Sequence, residues 1–165
     1  MEEKSRNILI SEKEISNRII EVGKSLSEYY KGKNLYVLSL LRGSFIFTAD
    51  LVRSITVPTK IGFMTTSSYG HGEESSGLVK VVNDIPDNIH GYDVLIVDDI
   101  VDSGITMEFV KNHVKSLGAS SVKCCVLLDK PERRSVDIKP DFCCFEIEDV
   151  FVVEIGRAHV WTPVT

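Results

Sequence analysis

Residues 94–106 read Val-Leu-Ile-Val-Asp-Asp-Ile-Val-Asp-Ser-Gly-Ile-Thr, and this stretch narrows the possible folds further than any other. Four apolar residues, a run typical of a buried strand, lead into two adjacent carboxylates. A Ser/Gly/Thr turn follows, and a helical pattern begins behind it. An apolar strand that feeds a helix belongs to an α/β protein, and open α/β sheets bind ligands at the C-terminal edges of their strands. A turn that opens a helix presents backbone N–H groups to an anion such as phosphate. Carboxylates beside such a cradle would repel a bare phosphate. A sugar phosphate that brings hydroxyls and a metal ion resolves the conflict.

The rest of the chain agrees with that class. Ser11 and Glu14 form a capping-box pattern, and Ile15, Ile19, Val22 and Leu26 follow at helical spacing until Lys31-Gly32-Lys33 ends the element. Residues 35–41 read as a buried strand, 45–55 as a helix and 59–65 as a second strand. Residues 66–77 hold three glycines and four serines and read as a polar loop. Strand character returns at 78–82 and 94–97, a helix at 106–117, and strands at 121–128, 141–147 and 150–153. Strands alternating with helices indicate a mainly parallel central sheet flanked by helices. The 165 residues suit one domain.

A net charge of −5 argues against a broad nucleic-acid-binding face. No apolar run is long enough for a bilayer and no secretory pattern opens the chain, so no membrane partner is expected and the cytoplasm is the expected compartment. Cys124-Cys125 and Cys143-Cys144 are neighbours within strands and point to opposite faces. Neither pair suits one metal ion, and a disulfide framework is not expected.

Four further segments join the 94–106 stretch: Leu41-Arg42-Gly43-Ser44-Phe45, Ser67-Ser68-Tyr69-Gly70, Leu127-Leu128-Asp129-Lys130-Pro131-Glu132-Arg133-Arg134 and Asp149-Val150-Phe151-Val152-Val153. The 94–106 stretch resembles the phosphoribosyl pyrophosphate motif of the type I phosphoribosyltransferases. All five, in this order from about Ile8 to Val153, resemble the bacterial hypoxanthine (hypoxanthine-guanine) phosphoribosyltransferases. The resemblance implies the type I phosphoribosyltransferase fold, with a flexible lid loop and a small hood that is incomplete here. It implies transfer of a phosphoribosyl group to hypoxanthine or guanine, Mg2+ as cofactor and a homodimer or homotetramer. A xanthine-guanine phosphoribosyltransferase is an alternative, as is a non-catalytic RNA-binding regulator on the same fold, against which the acidic balance argues.

Several residues take roles from the resemblance. Asp98 and Asp99 would stand on the ribose and metal side, Asp98 where relatives often carry Glu. Asp102 would be the general base for the purine imidazole; without the resemblance it is a helix-start carboxylate. Ser103, Gly104, Ile105 and Thr106 would bind phosphate, the alternative being an ordinary strand-to-helix turn with Thr106 as N-cap. Arg42 and Gly43 would hold pyrophosphate, preceded by a cis peptide between Leu41 and Arg42; otherwise Arg42 is a solvated charge. Ser68 and Tyr69 would begin a lid that excludes water, or else a disordered connection. Lys130 would donate to the purine 6-oxo group, Phe151 would stack on the ring, and the Val152 backbone would meet its edge. The competing readings are a surface charge for Lys130 and a core aromatic for Phe151. Arg134 matches a family arginine with a supporting role.

Residues 1–153 are thus the expected phosphoribosyltransferase domain. Residues 154–165, Glu-Ile-Gly-Arg-Ala-His-Val-Trp-Thr-Pro-Val-Thr, depart from the family pattern and resemble a translated sequencing adapter, with TGA at the Trp161 codon. They are expected to be a non-native tail on a truncated gene fragment, the alternative being a genuine divergent terminus.

Overall fold

The computed structural model describes residues 8–69 and 78–152. Helix α1 (Glu12–Tyr29) starts with the expected capping box. The Ser11 hydroxyl accepts from the Glu14 N–H at 3.2 Å, and the Ser11 N–H donates to the Glu14 carboxylate at 2.8 Å. Its buried stripe is Ile15, Ile19, Val22, Gly23 and Leu26. There follow β1 (Leu35–Leu41), α2 (Phe45–Arg53), β2 (Thr59–Tyr69), β3 (Leu78–Asn83), β4 (Asp93–Val101), α3 (Ile105–Ser116), β5 (Ser121–Asp129), a 3-10 turn (Pro131–Arg133) and β6 (Phe142–Glu146).

Among the described residues the six strands form one sheet in the order β3-β2-β1-β4-β5-β6. The pairs β1–β2, β1–β4, β4–β5 and β5–β6 are parallel, and β2–β3 is antiparallel. One face packs Leu35, Val37, Leu95 and Val97 under α1 and α2. The other packs Tyr36, Leu38, Val94 and Ile96 under α3. The alternation along β1 and from Val94 to Val97 of β4 is the two-residue period of a strand, and cover on both faces explains why both sets are apolar. The cysteines follow the same rule. Cys124 and Cys143 face the α3 side, Cys125 and Cys144 the α1 side, and all four are free thiols.

Several boundaries differ from expectation. Strand β2 runs on through Thr66, Ser67 and Ser68 to Tyr69, which pair with Val81, Lys80, Val79 and Leu78 across an irregularity at Thr65/Thr66. A polar stretch forms a strand here because backbone pairing on a half-solvated edge hairpin needs no apolar face, and β-branched threonines favour the extended conformation. Residues 70–77, the remainder of the expected lid, lie outside the described residues, as do 153–165, which contain the expected tail. Strand β4 continues past Val97 to Val101, carrying the acidic pair within the sheet. Helix α3 begins at Ile105, with Gly104 rather than Thr106 in the cap position. Residues 150–152 form no strand.

Candidate active site

The sheet order reverses direction between β1 and β4. From β1 the chain works outward through β2 and β3, and from β4 outward through β5 and β6. At such a reversal the loops leave in opposite directions and a crevice opens beyond the strand ends. A cleft of 360 Å³ lies there. Arg42 and Gly43, just after β1, form one wall. Asp98, Asp99, Asp102, Ser103, Gly104 and Thr106 form the other, and Thr66 and Ser68 approach from β2. Residues from three sequence segments thus meet around one space.

The β1 wall is held from below by hydroxyls. Ser39 lies 2.9 Å from Ser44 and 2.7 Å from Thr48, and the Ser44 hydroxyl donates to the Leu40 carbonyl at 2.5 Å. All three residues are buried, so this network fixes the turn that presents Arg42 and Gly43. The Leu41–Arg42 peptide is cis, as the resemblance implies.

On the β4 wall, the Asp98 carboxylate accepts from the Asp99 N–H and the Asp99 carboxylate from the Ile100 N–H, each at 2.9 Å. Gly104 has φ 85°, a left-handed conformation that glycine adopts without steric cost. It allows the chain to turn sharply out of β4 into α3, leaving the first amides of the helix without partners inside the helix. The Ile105 N–H also lies 3.4 Å from the Ser103 hydroxyl.

On the purine side expected from the sequence, the residues separate. Lys130 is 6 % exposed, and its ammonium sits 3.9 Å from the Asp102 carboxylate. It is not a surface charge. Phe151 is 92 % exposed and belongs to neither core, while Val152 packs against the α1-side core. No contact joins Phe151 to Lys130 or Asp102 among the described residues. Ile105 is half-buried and does not line the cleft.

The phosphoribosyl transferase domain family matches residues 8–159. The chain belongs to the phosphoribosyltransferase family. This phosphoribosyltransferase is 45% identical over 153 residues to the hypoxanthine phosphoribosyltransferase of Haemophilus influenzae, covering 91% of the chain and 86% of that relative. It is 48% identical over 151 residues to the hypoxanthine phosphoribosyltransferase of Buchnera aphidicola, covering 90% and 85%. A solved hypoxanthine-guanine phosphoribosyltransferase of Bacillus anthracis, with HEPES in its active site, superposes with a TM-score of 0.86 at 40% identity. That match covers 90% of this chain and 87% of the other.

One cleft residue of the phosphoribosyltransferase site escapes sequence reading, and one residue expected only to support the site gains a defined contact. Thr66 adds a cleft-lining residue from a segment read as loop, and only its pairing with Val81 places it there. Arg134 stands beneath the β4 turn and donates to the Asp102 carbonyl at 2.8 Å. For a metal, the donor set is two hard carboxylates, Asp98 and Asp99, bordering a cleft wide enough for a phosphorylated sugar. Mg2+ takes one or two protein carboxylates in phosphate sites and completes its octahedron with water and phosphate oxygens, so these residues fit it.

Proposed function

We propose that this phosphoribosyltransferase moves the 5-phosphoribosyl group from phosphoribosyl pyrophosphate to hypoxanthine, and also to guanine, producing IMP or GMP and pyrophosphate in purine salvage. The observation that carries the reading is the convergence of the Arg42-Gly43 turn, the acidic pair and the hydroxyl-bearing turn on one cleft, with a buried lysine beside Asp102.

In this reading the Ser103–Thr106 turn takes the 5-phosphate on its backbone N–H groups and hydroxyls. Asp98 and Asp99 accept from the ribose hydroxyls, and the Arg42-Gly43 turn takes the pyrophosphate. Purine N9 attacks the anomeric carbon as the bond to pyrophosphate breaks, and Asp102 removes the proton from N7. Lys130 donates to the 6-oxo group, which hypoxanthine and guanine carry and adenine lacks. Phe151 is exposed in this structure, and its stacking on the purine is a contact made on binding. Ser68 and Tyr69 begin the lid that keeps water from the reacting carbon. Magnesium, brought with the pyrophosphate substrate and held by Asp98 and Asp99, would neutralise charge on the leaving group. The chain works as a homo-oligomer in the cytoplasm. Free thiols suit a reducing compartment, and exposed Ile61 and Phe63 on one face of β2 suit contact with another copy.

A steady-state assay with phosphoribosyl pyrophosphate, Mg2+ and each of hypoxanthine, guanine, xanthine and adenine tests the proposal. Turnover of hypoxanthine and guanine is expected. Selective turnover of xanthine and guanine would replace the reading with the related specificity, and silence with all four bases would end it.

A further inference from the structure

Arg134 does not itself line the cleft, yet its guanidinium is committed to the backbone that forms it. One nitrogen donates to the Asp129 carboxylate at 2.5 Å. Another donates to the Asp102 carbonyl at 2.8 Å and lies 3.4 Å from the Val101 carbonyl. Val101 and Asp129 are register partners at the ends of β4 and β5. Arg134 therefore ties together two strand ends at the place where the sheet stops and the ligand turn begins. The pair is buried, with side-chain exposures of 14% and 5%. A planar fork of donors suits this geometry, because one rigid group satisfies a carboxylate and two carbonyls at once.

Neighbouring residues continue the contact along the turn. The Lys130 N–H donates to the Val101 carbonyl at 3.0 Å, and the Ser135 N–H to the Ser103 carbonyl at 2.9 Å. A side chain at Gly104 would put its Cβ 3.0 Å from the Arg134 Cδ and 2.4 Å from the Ile138 Cγ2. Residues 130–138 thus contact Val101, Asp102, Ser103 and Gly104 in succession.

We propose that Arg134, anchored on Asp129, is a positioning residue that holds the Asp102–Gly104 backbone so that the Asp102 carboxylate and the phosphate-binding amides keep their places. The inference deepens the phosphoribosyl-transfer reading and rests on it for its kinetic consequence. Its structural claim is measurable without turnover. Misplacing a catalytic group by about an ångström costs on the order of a hundredfold in rate, so loss of the strut should fall on kcat.

Two variants test it. Arg134→Lys keeps the charge and loses the fork. Asp129→Leu combined with Arg134→Met removes both buried charges together, which avoids leaving one unpaired. In hydrogen exchange followed by mass spectrometry, the amides of residues 102–105 should exchange about tenfold faster in both variants, while peptides from α1 exchange as before. With hypoxanthine, kcat should fall about ten- to a hundredfold while KM stays within about threefold. Unchanged exchange at 102–105 in either folded variant overturns the strut. A rise in KM for hypoxanthine with kcat intact also overturns it, since that would make Arg134 a purine-binding residue. If the unaltered chain converts no purine, the proposed activity fails on its own, and the exchange data still decide whether Arg134 holds the turn.

Discussion

Lys130 and Asp102 form a lopsided pair, the lysine side chain 8% exposed and the aspartate 48%. Removing the two charges should therefore have different consequences. Lys130→Met replaces a buried ammonium with an apolar chain of similar length, and the remaining carboxylate keeps its water. The melting temperature should hold or rise, because burying an ion is opposed by desolvation. In the proposed reading the same substitution removes the charged donor to the purine 6-oxo group. With about 1.5–3 kcal/mol for a hydrogen bond to a charged group, kcat/KM for hypoxanthine should fall about ten- to a hundredfold. A thermal melt beside a steady-state assay reads both effects, and a large loss of stability would show that the lysine serves the fold. Asp102→Asn keeps the shape and removes the proposed base, so kcat should fall by about 10²–10⁴ with the melting temperature unchanged. Turnover within a few-fold of the unaltered chain would remove Asp102 from the base role.

Where β4 meets α3, the proposed phosphate turn depends on one backbone conformation, that of Gly104. Gly104→Ala meets two obstacles, a φ of 85° and an Ile138 methyl 2.4 Å from the new Cβ. The left-handed conformation alone costs roughly 1–2 kcal/mol in a residue with a side chain, so the variant should unfold at lower denaturant concentration. Its affinity for phosphoribosyl pyrophosphate, measured by calorimetry, should also fall; affinity equal to that of the unaltered chain would mean the turn does not bind the ligand. Legibility in the sequence follows from this same locality. The α1 capping box, its apolar stripe and the limits of β1 depend on residues within a turn or two and could be read directly. The cleft-lining acids and the Ser/Gly/Thr turn were legible because one continuous segment carries them. The polar end of β2 was not, since Thr66–Tyr69 become a strand only through pairing with β3. The burial of Lys130 and the grip of Arg134 on two carbonyls were hidden for the same reason: their partners lie about thirty residues away.

Three carboxylates fasten separate parts of the molecule and should together set its response to acid. Asp141 receives the Cys124 N–H and pairs with Lys111 on α3 and Lys123 on β5. Asp87 accepts from the Tyr36 hydroxyl of β1 and pairs with Lys60 of β2. Asp84, just past β3, meets His113 of α3. Burial tends to raise the Asp141 carboxyl, but the Cys124 N–H and the two lysines outweigh it and hold the group below the ordinary 3.8. Lys60 and then Tyr36 lower Asp87, and at Asp84 the His113 and Ile85 hydrogen bonds overcome burial. A carboxylate whose folded value is depressed binds fewer protons folded than unfolded. Its stabilising contribution is complete above 3.8 and is lost as the pH falls through that value toward the lower folded one. Asp141 holds three groups on two elements, α3 and β5, and is the least exposed of the three carboxylates, so Asp141→Asn should lower the melting temperature at neutral pH and flatten its decline in acid. Melting curves recorded between about pH 7 and pH 3 check this; an acid limb as steep in the variant as in the unaltered chain would move the acid response to other carboxylates.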